Sequence, residues 1–333
     1  MKVSVENVLP KTEKGNFMDI TVIGMVKNSA DIIESYIRGN GLFADRFAII
    51  NNNSTDNTLE ILNSLKEEGF RIDIFNDPEN ARFQSMKMNI LIQRVLSMYE
   101  TDWLIPLDDD EILFAPDGRN VRDVIAGWDR DQAYYLSQRV YLPVESEDDG
   151  SEACVPRRIT YAFGKKHRVV CKILFSSKIA SMDGFLIVQG NHDFVGPEVI
   201  KTSQQEIMIA HYPIRSRQQL ISKALINWTN YLATPFRKEG NGKHIQRIYE
   251  MYKERMTVDD DLLLMSCLQF ICDADEGNIE ITKQPLEISE EALMVKYTSI
   301  DEANALRNYI NNTEDIARAY AALLQEKMEK EEM

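Results

Sequence analysis

Residues 19–115 constrain this chain most, because four strand patterns alternate there with three helix patterns. Asp19 to Val26 (DITVIGMV) is a β-rich apolar run of the kind that is buried on both faces. Ile32, Ile33, Tyr36 and Ile37 then recur at helical spacing, with Asn28 or Ser29 as the expected cap. A second strand over Arg46–Ile50 ends in the turn-rich NNNSTDNT. A helix from about Asp56 to Glu68 follows, and Gly69 closes it. Arg71–Phe75 predicts a third strand, Gln84–Tyr99 a helix, and Trp103–Leu107 a fourth strand running straight into DDDEIL. Strands separated by helices demand parallel pairing with helices on both faces. In such sheets ligands sit at the carboxyl ends of the strands. The two polar clusters, NNNSTD and DDDE, fall at those ends.

From about 131 to 214 the runs AYYLSQRVYLP, RVVCKILF and EIMIAHYPI read as strands without long helices between them, continuing the first half as a mixed sheet. From Ser216 the pattern is helical. Leu220, Ile221, Ala224, Leu225, Trp228, Tyr231 and Leu232 form one apolar stripe, and further helices are expected over 243–273 and 286–330. The expected division is 19–215 for the α/β domain, split into a nucleotide-binding half (19–115) and an acceptor half (116–215), with a helical region over 216–333.

The chain has 333 residues, 44% of them hydrophobic, which suffices for a sizeable core. Its net charge of −15 opposes broad binding to nucleic acid or anionic membrane. Cysteines at 154, 171, 267 and 272 have no C-x-x-C spacing, which argues against a zinc or thioredoxin-like site. No signal-peptide run and no stretch of about 18 apolar residues is present, so no membrane span is expected. A cytoplasmic protein, at most peripheral to a membrane, is the expectation.

The acids carry the chemistry. If the fourth strand continues, Asp108 and Asp110 point the same way and make a hard-oxygen site suited to Mg²⁺ or Mn²⁺ shared with a diphosphate. Such a metal stabilises a leaving nucleoside diphosphate by charge. VKNSADII (26–33), NNNSTD (51–56) and LDDDEI (107–112), in that order at strand ends, resemble the family 2 glycosyltransferases of GT-A fold, in the branch whose strand ends LDxDEF. The likeness is good over 19–115 and weaker through GNHDF (190–194) and HYPIRS (211–216).

The resemblance implies a metal-dependent, inverting transfer of a sugar from a nucleotide-diphospho-sugar, a UDP-sugar before a GDP-sugar, to a carbohydrate or glycolipid acceptor, in surface polysaccharide or glycan synthesis. It implies that Asp108 and Asp110 hold the metal and reach the ribose, with Asp109 facing away or also reaching the ribose. Asn51 and Asn52 stand where the family reads the base with an acid pair. An amide both accepts and donates, so the base preference is open. Val26, Lys27 and Asn28 would line the same pocket. Gln84, Lys87 and Asn89 match nucleotide-facing positions, and Arg82 with Lys87 would offset phosphate charge. A further metal ligand, often His in similar enzymes, would be His211 first and His192 second. Arg215, Arg217 and Lys223 would clamp phosphate from the other side. An inverting reaction needs a general base. The usual Glu-Asp motif is absent between 130 and 215, leaving Asp183 and Asp193 as candidates. Lys172, in VVCKILF, is either a pocket residue or an edge charge. The rival readings are a nucleotidyltransferase-like enzyme, which Gly24 standing alone without a glycine-rich loop disfavours, and a non-catalytic nucleotide-sugar-binding protein, which intact acids disfavour.

Overall fold

The computed structural model describes residues 18–79, 83–144, 152–164, 168–169, 171–234, 243–272, 280–299 and 305–331. In chain order the elements are β1 (Ile20–Val26), α1 (Ile33–Asn40), β2 (Arg46–Asn52), α2 (Thr58–Glu67), β3 (Ile72–Asp77), α3 (Gln84–Met98), β4 (Trp103–Pro106), β5 (Glu111–Phe114), α4 (Val121–Ala126) and β6 (Gln132–Leu142). Then come α5 (Val155–Arg158), β7 (Tyr161–Phe163), β8 (Arg168–Val169), β9 (Lys172–Ser176), α6 (Ser177–Ala180), β10 (Leu186–Ile187), β11 (Phe194–Val195) and β12 (Ile200–His211). The remainder is α7 (Arg217–Ala233), α8 (Lys243–Arg255), α9 (Asp260–Cys267), β13 (Ile271–Cys272), β14 (Ile281–Lys283) and α10 (Ala305–Glu331).

The main sheet runs β14-β7-β6-β9-β4-β1-β2-β3, with β12 pairing both β5 and β6. β1 pairs parallel with β2 and β4, and β2 with β3; β9 joins β4 antiparallel. This is the mixed, mainly parallel sheet expected. The chain steps outward from β1 to β3 and then returns to the other side of β1, so the switch point lies between β1 and β4. Alternate residues of β1 serve the two faces. Val22 packs with Ile33, Tyr36, Ile61 and Leu65 of α1 and α2, while Ile23 packs with Met88, Leu91 and Val95 of α3. Each fully buried aliphatic side chain contributes about 1.5–3 kcal/mol, so α1, α2 and α3 are held by their inward faces. β1 and β4 approach closely because of Gly24, where a Cβ would meet the Leu107 carbonyl at 2.8 Å and the Tyr36 hydroxyl at 3.1 Å.

Several expectations change. α1 starts four residues later than the cap reading placed it. Asn28 adopts φ 52°, and Ser29 begins a turn whose carbonyl accepts from the Ile32 and Ile33 amides. The run RVVCKILF is two strands, β8 and β9. The region after 216 is not purely helical, since β13 pairs β8 and β14 joins the main sheet through β7. Helices α7, α8 and α9 share a hydrophobic cluster with Val140 and Leu142 of β6. Helix α10 lies against α7 and against the loop after β2: Asn53 Nδ2 donates to Asp315 Oδ2 (3.1 Å), Asn311 Nδ2 to the Thr55 carbonyl (3.3 Å), and Asn312 Nδ2 to Thr229 Oγ1 (3.4 Å). No helix among the described residues is long and apolar enough to cross a membrane.

Candidate functional site

A cavity of about 1090 Å³ opens at the carboxyl ends of β1 and β4 and reaches across to α7. Val26, Lys27, Asn28, Asn52, Gln84, Asp108, Asp109, Asp110, Glu111, Lys172, His192, His211 and Arg215 line it. Two loops form one rim. The Thr55 amide donates to Asn28 Oδ1 (2.7 Å), the Asn28 amide to Ser54 Oγ (3.1 Å), and the Ala30 amide to Asp56 Oδ2 (3.1 Å). These bonds lock VKNSA against NNNSTD, and both Asn28 and Asn53 take the left-handed conformation that asparagine tolerates. Lys27 Nζ donates to the carbonyls of Asn52 (3.0 Å) and Asn53 (3.2 Å). Burial brings its ammonium down to about 8.

The acids do not continue β4. The Glu111 amide donates to the Asp108 carbonyl (3.1 Å) and the Asp108 amide to Glu111 Oε2 (2.9 Å), which closes a turn between β4 and β5. Strand alternation therefore does not apply, and the acids meet different partners. Asp108 accepts from Gln84 Nε2 (3.1 Å), Asn191 Nδ2 (3.4 Å) and Lys172 Nζ. Asp109 accepts from Ser29 Oγ. Asp110 is surrounded by Lys223 Nζ (3.2 Å), His211 Nε2 (3.5 Å) and Arg215 Nη1 (3.6 Å). Glu111, fully buried, accepts from Gln138 Nε2 (2.6 Å) and lies 3.5 Å from Lys172 Nζ.

The register explains His211. β12 pairs antiparallel with β5 so that His211 stands opposite Glu111, which delivers the imidazole to Asp110. Burial alone would raise the Asp110 carboxyl, but Lys223, His211 and Arg215 together drive it well below its usual range. Asp109 is pushed up to about 6, first by burial and then by the Asp110 charge. Burial would lower Lys172, yet the Asp108 and Glu111 carboxylates raise it.

The cavity suits a divalent cation in a limited way. Among the described residues no three His, Cys, Asp or Glu side chains converge as a metal cage. The carboxylate of Asp110 and the Nε2 of His211 do form a donor pair, with Lys223 occupying the adjacent position. Mg²⁺-like ions are commonly held by one or two carboxylates with the rest of their shell from water and substrate phosphate, and such a site fits this pair. His192 lines the same cavity, but its Nδ1 is directed to the Cys171 carbonyl at 2.9 Å.

Other expected residues fall elsewhere. Asn51 is buried and donates to Asn76 Oδ1 (3.1 Å). Lys87 pairs with Asp77 (2.6 Å) rather than lining the cavity. Asn89 donates to the Ile187 carbonyl (3.0 Å) and accepts from the Ile187 amide (2.8 Å), so it ties β10 to α3 instead of facing a nucleotide. Asp183 is exposed and precedes β10, and Asp193 pairs with Lys201 (2.6 Å); neither lines the cavity. Arg215 reaches the cavity, but its guanidinium grips Asp31 at 2.6 and 2.8 Å, and Arg217 pairs with Asp260. Arg82 lies outside the described residues, as does the acidic segment 145–149.

Some site residues were not visible in sequence. Asp77 places a carboxylate 2.9 Å from Asn52 Nδ2, because β2 and β3 pair with Asn52 opposite Asp77. That register supplies an acid beside the two amides that stand in place of an acid pair. Ser29, Gln138 and Asn191 are polar residues whose roles depend on contacts 27 to 83 positions distant. Lys172 is resolved as a pocket residue.

Comparison with known proteins follows from this geometry. Residues 26–174 match the model of glycosyl transferase family 2, a segment that contains β1's end, NNNSTD, the four acids and Lys172. No curated protein sequence matches the chain significantly. Among solved structures, S. aureus TarS 1–349 is similar at 10% identity over 92% of each chain, with a TM-score of 0.39. The Pyrobaculum calidifontis mannosyltransferase PcManGT, solved with GDP-Man and Mn²⁺, shares 14% identity over 89% of this chain and 87% of its own, TM-score 0.37. The Mycobacterium tuberculosis glucosyl-3-phosphoglycerate synthase, solved with Mn²⁺, UDP and glucosyl-3-phosphoglycerate, shares 22% identity over 28% of this chain and 34% of its own, TM-score 0.21. The family match and the sheet order with its acids at the switch point agree: the chain is a glycosyltransferase, and its residues 26–174 match glycosyl transferase family 2.

Proposed function

We propose that this enzyme transfers a sugar from a nucleotide-diphospho-sugar to an acceptor hydroxyl with the help of Mn²⁺ or Mg²⁺. The observation that carries the reading is the cavity at the β1/β4 switch point, with Asp108–Glu111 on its floor and Val26–Asn28 and Asn52 on its rim. The base and ribose lie against Lys27, Asn28 and Asn52, with Asp77 behind Asn52. The diphosphate lies toward Asp110. Asp110 and His211 would hold a divalent cation there, and it would supply positive charge against the departing nucleoside diphosphate. In the transfer, the acceptor oxygen forms its bond to the anomeric carbon as the bond from that carbon to the diphosphate breaks. The diphosphate keeps the electron pair, and the hydroxyl proton passes to a carboxylate lining the cavity. Inversion, and a role in polysaccharide or glycan synthesis, are what the family resemblance implies. The proteins solved with UDP or GDP-Man and Mn²⁺ lend the donor class support.

Thermal shift with UDP, GDP and CMP, each with and without Mn²⁺, tests this. A nucleoside diphosphate is expected to stabilise the protein only with metal, and Asp110→Asn to abolish that dependence. Absence of any shift with every nucleotide would overturn the reading, and the responding nucleotide names the base.

A further inference from the structure

The cavity has two chemically distinct parts. The part under β1 and β4 holds the acids and most of the cations. The part walled by α7 is uncharged, apart from Lys223. Gln219, Ser222, Asn227, Asn230 and Thr234 line it, interleaved with Ala224, Ile226, Ile245 and Ile248 and with the rings of Tyr231 and Phe270. Lys223 is committed, donating to Asp110 Oδ2 (3.2 Å) and to the Pro213 carbonyl (2.7 Å).

Helical spacing puts Lys223, Asn227, Asn230 and Tyr231 on one face of α7, since Asn227 lies four residues after Lys223, and Asn230 and Tyr231 lie three and four after Asn227. From Lys223 to Tyr231 that face extends about 12 Å away from Asp110, at 1.5 Å per residue. Asn230 is 3% exposed, and its Oδ1 has no hydrogen-bond partner. An unsatisfied buried carbonyl oxygen costs about 1–3 kcal/mol. That oxygen is shielded as the side chain stands, so Asn230 would meet a ligand once its amide turns toward the cavity.

We propose that this face of α7 is the acceptor subsite and that it takes an uncharged carbohydrate. The inference rests on the transferase reading above. Side-chain amides both donate and accept, as sugar hydroxyls do, so Asn227, Asn230 and Gln219 match a polyol in either direction. Tyr231, which stacks on Trp228 at 5.5 Å, and Phe270, which has Lys223 5.2 Å from its ring centroid, add aromatic surface for the carbon-bound hydrogens of a sugar ring. A phosphorylated or carboxylated acceptor needs an uncommitted cation, and among the described residues the cation of this wall, Lys223, is already held by Asp110. A lipid chain needs an unbroken apolar wall, and five polar side chains interrupt this one. An acceptor laid along α7 presents its end to Asp110, where the donor diphosphate is placed.

Saturation-transfer NMR on the full chain, with UDP or GDP and Mn²⁺ present, tests the proposal. The probes are methyl β-D-glucopyranoside, methyl α-D-mannopyranoside and methyl N-acetyl-β-D-glucosaminide, against sn-glycerol 3-phosphate and octanoate. At least one neutral glycoside is expected to bind. Asn230→Leu and the milder Asn227→Ala are each expected to weaken it about tenfold, with the nucleotide-induced thermal shift unchanged. Asn227→Ala keeps the test valid if Asn230→Leu does not fold. Preference for glycerol 3-phosphate or octanoate, or glycoside binding that neither variant weakens, overturns the subsite. Nucleotide binding without any glycoside binding also overturns it, while leaving the donor reading intact. Loss of the nucleotide shift in the unsubstituted protein is the separate failure that strikes the donor reading.

Discussion

Replacing Lys172 by Met removes the ammonium from the centre of the acid cluster while keeping its bulk. Lys172 is 2% exposed, touches Asp108, and lies 3.5 Å from the fully buried Glu111 carboxylate. At that separation, and an effective dielectric of about 20, the attraction to the ionised Glu111 carboxylate, which forms as pH rises through about 8, is roughly 5 kcal/mol. Part of it is returned because the lysine no longer has to be desolvated. Removing one partner of a buried pair usually costs about 3–5 kcal/mol. The Asp108 side chain is one-third exposed, so water takes up some of its charge. The expected loss is about 3 kcal/mol, or about 1 M in the urea midpoint at a slope near 3 kcal/mol/M. The pH dependence has a definite sign. Glu111 is pushed up to about 8 by burial, against the opposing pull of Lys172. A carboxyl raised in the folded state adds stability below its ordinary value of 4.5, and this is lost as pH rises through about 8. Without Lys172 the carboxyl rises further, so the variant's deficit must grow between pH 6 and pH 9. Urea unfolding at both pH values measures it. A deficit under about 1 kcal/mol, or one that shrinks toward pH 9, refutes the assignment of Lys172 as the neutralising charge.

Three further outcomes are expected. Gly24→Ala forces a methyl to 2.8 Å from the Leu107 carbonyl, so it should cost about 2 kcal/mol by calorimetry; an unchanged Tm means β1 and β4 part freely. Arg215→Lys cannot reproduce the two-pronged grip on Asp31 at 2.6 and 2.8 Å and should lower stability by about 2 kcal/mol in urea, an effect that Arg215→Lys would lack if the fork were unimportant. The Lys27 ammonium, brought to about 8 by burial, loses its charge as pH rises through that value, so the affinity for a nucleoside diphosphate should fall between pH 7 and 9.5. Lys27→Met should bind weakly with a flat profile over the same range, and calorimetric titration distinguishes the two.

The parts of the fold legible in sequence are those whose signal is local. DITVIGMV, the α2 stripe and the α3 stripe carry their periodicity within a dozen residues, and they form where the pattern puts them. β5 was hidden because its four residues begin with Glu111, and an acid at a strand start resembles the end of the preceding turn. The acids themselves were correctly placed at a strand end but wrongly treated as strand. The hydrogen bonds that turn the chain at Asp108 use the Glu111 side chain, which no alternation pattern encodes. His211 was recognisable from its strand end, yet its meeting with Asp110 depends on the β12–β5 register, whose facing residues lie 94 to 100 positions apart. Lys172 stayed ambiguous for the same reason, since its neighbours Asp108 and Glu111 come from another strand's end. Asp183 and Asp193 were chosen by residue type, and topology turned them away. Asp77 was overlooked because only the pairing of β2 with β3 sets it beside Asn52.

Helix α10 has 27 residues, about 40 Å of continuous rod. Its first half is fastened at Thr55 and Asn53 on the donor rim and at Thr229 on α7, while Tyr320, Leu323 and Met328 farther along are exposed. A rod pinned near one end is a lever. Bulk added along that exposed stretch, as by an antibody, is expected to strain contacts that the donor rim and α7 share. A fluorophore pair on α10 and α2 tests whether the two shift together when a nucleotide binds.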